Sequence, residues 1–113
     1  MPSRTRVEQL IALVENGKYV EALQEFYAAD ATMQENDQLP RRGLELLVKH
    51  EQGVMAAFKE ISTLPVQSFL VDGDHVVIHL VFEFVGKDGR KFRMDELAHQ
   101  VWRGDRTIRE RFY

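Results

Sequence analysis

The segment His75 to Val85 reads HVVIHLVFEFV, apolar at nearly every position and bounded by Asp72-Gly73-Asp74 and Lys87-Asp88-Gly89. Such a run between turn signals predicts a strand whose two faces both leave water. Helices can cover one face of a sheet containing it. The other face then wants a partner, and a homodimer through the sheet is the simplest solution. With 113 residues the chain suits one domain spanning 1–113, burying roughly two-thirds of the surface its unfolded form exposes. It holds no cysteine, which excludes thiol nucleophiles and disulfide frameworks.

Thr5-Arg6-Val7-Glu8 has the form of a capping box, and Val7, Leu10, Ile11 and Val14 follow at helical spacing, so a helix is expected over Thr5 to Asn16. Tyr19, Val20, Leu23, Phe26 and Tyr27 predict a second over Lys18 to Ala29. Ala31 to Asn36 breaks the period and reads as a short strand. After Gly43, the residues Leu44, Leu47, Val48, Val54, Met55 and Phe58 mark a third helix to about Lys59, with Glu51 standing where an apolar residue is expected. Leu64–Val71, His75–Val85, Arg90–Arg103 and Thr107–Tyr113 then predict a four-stranded antiparallel meander. Helices followed by strands define an α+β domain, with the helices covering one face of a twisted sheet.

Fifteen Lys and Arg against eighteen Asp and Glu give a net charge of -3, the wrong sign for a nucleic-acid binder. No stretch approaches the ~20 apolar residues of a membrane span, and the N-terminus leads into an amphipathic run, not an apolar signal core. A cytoplasmic protein is the expectation.

If the link around Lys87-Asp88-Gly89 has even length, as Asp-Gly turns favour, odd positions of the His75–Val85 strand share a face with even positions of the next strand. One face then gathers His79, Glu83, Glu96 and Gln100 among apolar and aromatic neighbours, the composition of a ligand cavity. The opposite face, with Val76, Ile78, Leu80, Phe82 and Phe84, would form the subunit interface.

The order of these elements, with Phe26-Tyr27-Ala28-Ala29-Asp30-Ala31-Thr32-Met33 closing the second helix, Gly43 at the third, and Gly104 to Ile108 before Arg109-Glu110-Arg111-Phe112-Tyr113, resembles the nuclear transport factor 2-like superfamily. That superfamily includes ketosteroid isomerases, SnoaL-like polyketide cyclases and limonene epoxide hydrolase. The resemblance implies a strongly curved, mostly antiparallel sheet with three N-terminal helices in its concave face, a cone with a hydrophobic pocket at its open end, and a dimer through the outer face. It also places the isomerase base on Glu35. The isomerase's two hydrogen-bond donors fall near Leu10 and Ala98, which donate nothing, and steroid isomerisation is rejected on that ground.

The expected chemistry is therefore cofactor-independent acid–base work on a small apolar molecule: isomerisation, aldol-type cyclisation, dehydration or epoxide hydrolysis. Glu35 would act as base and Glu96 or His79 as acid. Gln100 would orient a substrate oxygen, Glu51 would face the ligand, Glu83 would pair with a neighbouring cation or cap the rim, and Tyr27 and Trp102 would shape the pocket. His50 and His99 are placed on solvated faces. The Arg103 to Arg111 cluster reads as strand-end charge. No metal is expected, since no ligand spacing supports one. The alternative is a non-catalytic binding protein or dimeric assembly module with the same pocket.

Overall fold

The computed structural model describes residues 1–113. Helix α1 spans Arg4–Glu15 and α2 spans Tyr19–Phe26; strands β1 (Tyr27–Glu35) and β2 (Arg41–Arg42) lead to helix α3 (Leu44–Ala57). Strands β3 (Phe58–Thr63), β4 (Phe69–Asp72), β5 (His75–Gly86), β6 (Lys91–Arg103) and β7 (Arg106–Phe112) complete the chain. The first helix is capped by Ser3, whose Oγ accepts from the Arg6 N–H at 3.1 Å, so the expected box at Thr5 is not the cap. At α3 the cap is Gly43, with φ of +99°, a conformation that spares only glycine strain; its N–H donates to Ala31 O at 2.8 Å.

The sheet has seven strands in the order β2-β1-β7-β6-β5-β3, with β4 also paired to β5. It is mixed, because β1 and β7 run parallel. The expected meander is therefore extended by three strands. Tyr27 to Ala29 leave the second helix early to begin β1, where Tyr27 lies opposite Thr107. Phe58 opens β3 and does not continue the third helix. A register shift between Phe58 and Glu60 breaks the two-residue alternation, so that Phe58 and Ile61 both face inward three residues apart. That spacing imitates a helix in sequence. Strands β3 and β4 share one edge of β5, the first against Phe82–Gly86 and the second against His75–Ile78.

The β5–β6 hairpin closes with Val85 opposite Lys91, leaving Gly86 through Arg90, an odd number of residues, in the loop. Gly86 and Arg90 are still bonded across it, Gly86 N to Arg90 O at 2.7 Å, and Gly89 turns the chain at φ of +86°. The odd loop overturns the expected pairing of faces. Even positions of β5 now share a side with even positions of β6: Leu80 opposes Glu96, Ile78 opposes Ala98 and Val76 opposes Gln100. Val76, Ile78, Leu80 and Phe84 are buried and form the core face with Trp102, Phe26, Leu10 and Leu47, not a subunit interface. The outer face carries Val77, Val81 and Val101 with an exposed Leu97, crossed by polar pairs.

Candidate ligand cavity and its acidic wall

Curling of the sheet around α3 leaves a cavity of about 340 Å³, within the ordinary range of small-molecule sites. Of its 24 lining residues 18 are hydrophobic, and the six others are Glu35, His50, Glu51, Glu96, Gln100 and Glu110. Phe92 and Met94, 47% and 40% exposed, mark its open end. The lining is two-sided. Glu35, Glu110, Glu96 and Gln100 come from the neighbouring strands β1, β7 and β6, and His50 and Glu51 from α3. Facing them, β5, β3, α1 and α2 contribute only apolar and aromatic side chains, among them Phe82, Phe84, Phe58 and Tyr19.

The structure thus brings Glu35, Glu51, Glu96, Gln100 and Tyr27 to one cavity, and it places two of the expected residues elsewhere. His79 lies on the outer face, its Nε2 2.6 Å from Asp95 Oδ1, and Glu83 sits there too, accepting from Arg93 at 3.0 Å. Both corrections follow from the odd hairpin loop, which reverses the side of every β5 residue. Trp102 is fully buried but stands behind the cavity without lining it. His50, expected in solvent, lines the cavity beside Glu51. Glu110, which lies inside the Arg103 to Arg111 cluster read as strand-end charge and is not singled out by the sequence, is 2% exposed and forms part of the cavity lining.

Glu110 is held by a chain of donors that leaves little freedom. Trp102 Nε1 donates to Gln100 Oε1 at 2.9 Å, and an indole N–H can only donate, so the Gln100 amide nitrogen must face the other way. It donates to Glu110 Oε2 at 2.7 Å. Tyr27 Oη donates to Glu110 Oε1 in a short bond. Burial, then the Glu110 charge, pushes the Tyr27 hydroxyl well above its ordinary 10, so it stays a donor. Burial also raises the Glu110 carboxyl, against the pull of these two hydrogen bonds.

Glu96 and Glu51 lack such help. Burial, then repulsion from Glu35 and Glu110, lifts Glu96 to about 7; burial, then Glu35, lifts Glu51. Glu35 itself has a cation, Arg41, at 3.6 Å. For Glu96 the sign for stability is clear. Folded protein keeps a proton that the unfolded chain releases near 4.5, so stability is complete below that pH and is lost as pH rises to about 7. Glu96→Gln removes this titration. Denaturation midpoints measured across that window are expected to fall less with pH in the variant than in the parent; identical slopes would place Glu96 in solvent.

A comparison with curated proteins finds no match. The family model described as a SnoaL-like domain matches residues 7–110, and the chain belongs to that family. Solved structures agree on the fold. A Mesorhizobium loti protein provisionally described as a SnoaL-like polyketide cyclase is 21% identical, with 100% of this chain and 99% of that one covered and a TM-score of 0.83. A Catenulispora acidiphila protein of ketosteroid isomerase-like fold, in complex with trimethylamine, is 20% identical over 98% of this chain and 85% of that one, with a TM-score of 0.81. TerC, crystallised with polyporic acid, is 13% identical over 96% of this chain and 88% of its own, with a TM-score of 0.80. No helix is long and apolar enough to cross a membrane.

Proposed function

We propose that this SnoaL-like domain holds a small, largely apolar molecule in its cone and moves a proton on it, with Glu96 as acid and Glu35 as base. The observation that carries the reading is Glu96, an unpaired carboxyl on an apolar cavity wall whose titration lies near 7, facing a second carboxylate paired with Arg41. Such a group is neutral and ionised in comparable amounts at neutral pH, the condition under which a proton is given and recovered readily. Glu35 has the Arg41 guanidinium at 3.6 Å, a partner that suits the carboxylate of a base. Isomerisation, aldol-type cyclisation, dehydration and epoxide opening all need this pair of roles. Structures of the same fold in complex with trimethylamine and co-crystallised with polyporic acid support the reading as a small-molecule binder.

A second reading, a binding module without chemistry, draws on Leu10 and Ala98. These positions line or border the core with hydrocarbon where the isomerase pattern has donors, so an enolate would find no support there. Carboxyl carbon NMR of Glu96 separates the two. A midpoint near 7 that moves when an apolar compound is added supports the acid role, and one near 4.5 leaves only the binding module. Met33→Trp, which fills the cavity from β1, is expected to abolish saturation-transfer signals of apolar compounds. Unchanged signals would place the ligand site elsewhere.

A further inference from the structure

We infer that the molecule taken by this cavity is a cation, an amine protonated or quaternary at one end of an apolar body, with its charge on the acidic wall and its hydrocarbon on the aromatic one. The inference rests on the cavity being a ligand site, as proposed above, and names the class of molecule.

The lining itself carries the argument. Four carboxyl groups, Glu35, Glu51, Glu96 and Glu110, line one cavity, and no Lys or Arg lines it. Arg41 answers Glu35 alone, at 3.6 Å. Carboxyl groups in apolar surroundings that are not matched by protein cations either hold protons or await a positive charge from outside. A carboxylate-bearing ligand would add a further negative charge to the same wall. A neutral one would leave the repulsion between the acids as it stands. Of the three, a cation lowers it and lets an acid ionise.

The opposite wall is suited to such a molecule. Phe58 and Phe84, tilted at 5.0 Å, form an aromatic group that Phe82 and Tyr19 extend inward and that Phe92 of β6 joins at the open end, stacked on Phe84 at 4.8 Å. Ring faces attract ammonium groups and also accept hydrocarbon, so this wall tolerates the body of the ligand and favours a charged end. Burial in the cavity weakens solvent screening of these groups relative to acids on an open surface.

Binding a cation also favours ionised carboxyls, here Glu51 on α3, so a proton should leave as the ligand enters and affinity should rise with pH, while the proton on Glu96 stays available for the acid role. The test is isothermal titration calorimetry of the intact chain with three compounds sharing an indole body: tryptamine, tryptophol and indoleacetate, charged positive, neutral and negative. Tryptamine is expected to bind about tenfold or more tighter than tryptophol, with indoleacetate weakest. Its heat should depend on the ionisation enthalpy of the buffer, reporting released protons, and Glu51→Gln with Glu96→Gln should reduce the preference for tryptamine severalfold. Tryptophol or indoleacetate binding as tightly as tryptamine overturns the charge class and leaves the cavity as a ligand site. Binding that survives Met33→Trp, or none by any of the three, overturns the cavity reading and this inference together.

Discussion

Glu110→Leu is expected to lower the free energy of unfolding by about 2–4 kcal/mol, because it strands two buried donors at once, the Tyr27 hydroxyl and the Gln100 amide. Glu110→Gln should lose less, about 1–2 kcal/mol, since one amide oxygen remains to accept while its nitrogen meets another donor. Gln100 cannot rotate to compensate without abandoning Trp102. Exchanging the two side chains restores the chain of bonds. In Gln100→Glu with Glu110→Gln, the carboxylate accepts from Trp102 and from the new amide, whose oxygen accepts from Tyr27. Urea denaturation of the double variant should recover most of the loss, a coupling that independent sites would not show. If Glu110→Gln matches the parent, Glu110 already carries a proton toward Tyr27 and the ionised description fails.

Trp102→Ala is expected to cost about 3–5 kcal/mol, a large share of the stability of an ordinary small domain. Trp102 is among the largest fully buried side chains, and its removal both empties the core behind β6 and frees the Gln100 amide. Trp102→Phe separates the two effects. It keeps most of the packing and loses the N–H, so its smaller loss, about 1–2 kcal/mol, measures the bond and the trimmed volume. Thermal and urea unfolding of both variants check the order. A loss below about 1 kcal/mol for the alanine would mean that the wall behind the cavity closes on the void.

The α+β class, three helices and the long β5–β6 pair were legible because each rests on a pattern spanning many residues: helical spacing in Val7 to Val14 and Leu44 to Phe58, and a continuous apolar run in His75 to Val85. Glu96 and Gln100 were legible as cavity residues because they share two-residue spacing, and so one face, with Phe92 and Met94 on a single strand. What failed depended on a single residue more or less. Asp88-Gly89 suggests a tight turn, but the loop runs from Gly86 to Arg90, and that one step moved His79 and Glu83 to the outer face. The bulge beside Phe58 hid β3 in the same way.

Glu110 was missed for a different reason. Its segment, Arg106-Thr107-Ile108-Arg109-Glu110-Arg111-Phe112, is dominated by arginines, and its inward residues Thr107, Glu110 and Phe112 do not alternate cleanly across the shift beside Trp102. Pairing with Gln100 reveals its side, and pairing is a long-range fact. His50 could have been found from the sequence. It stands three residues after Leu47 and four before Val54, on the apolar stripe of the helix.

The parallel joint between β1 and β7 ties residues near the start of the chain to those at its end, Glu35 beside Phe112 and Met33 beside Glu110. During synthesis the hollow therefore has no floor until its final strand emerges. A polypeptide in which β7 has not yet formed leaves the inner edge of β1 unpaired and the apolar faces of the helices uncovered, so the cone closes only when segments about eighty positions apart have met.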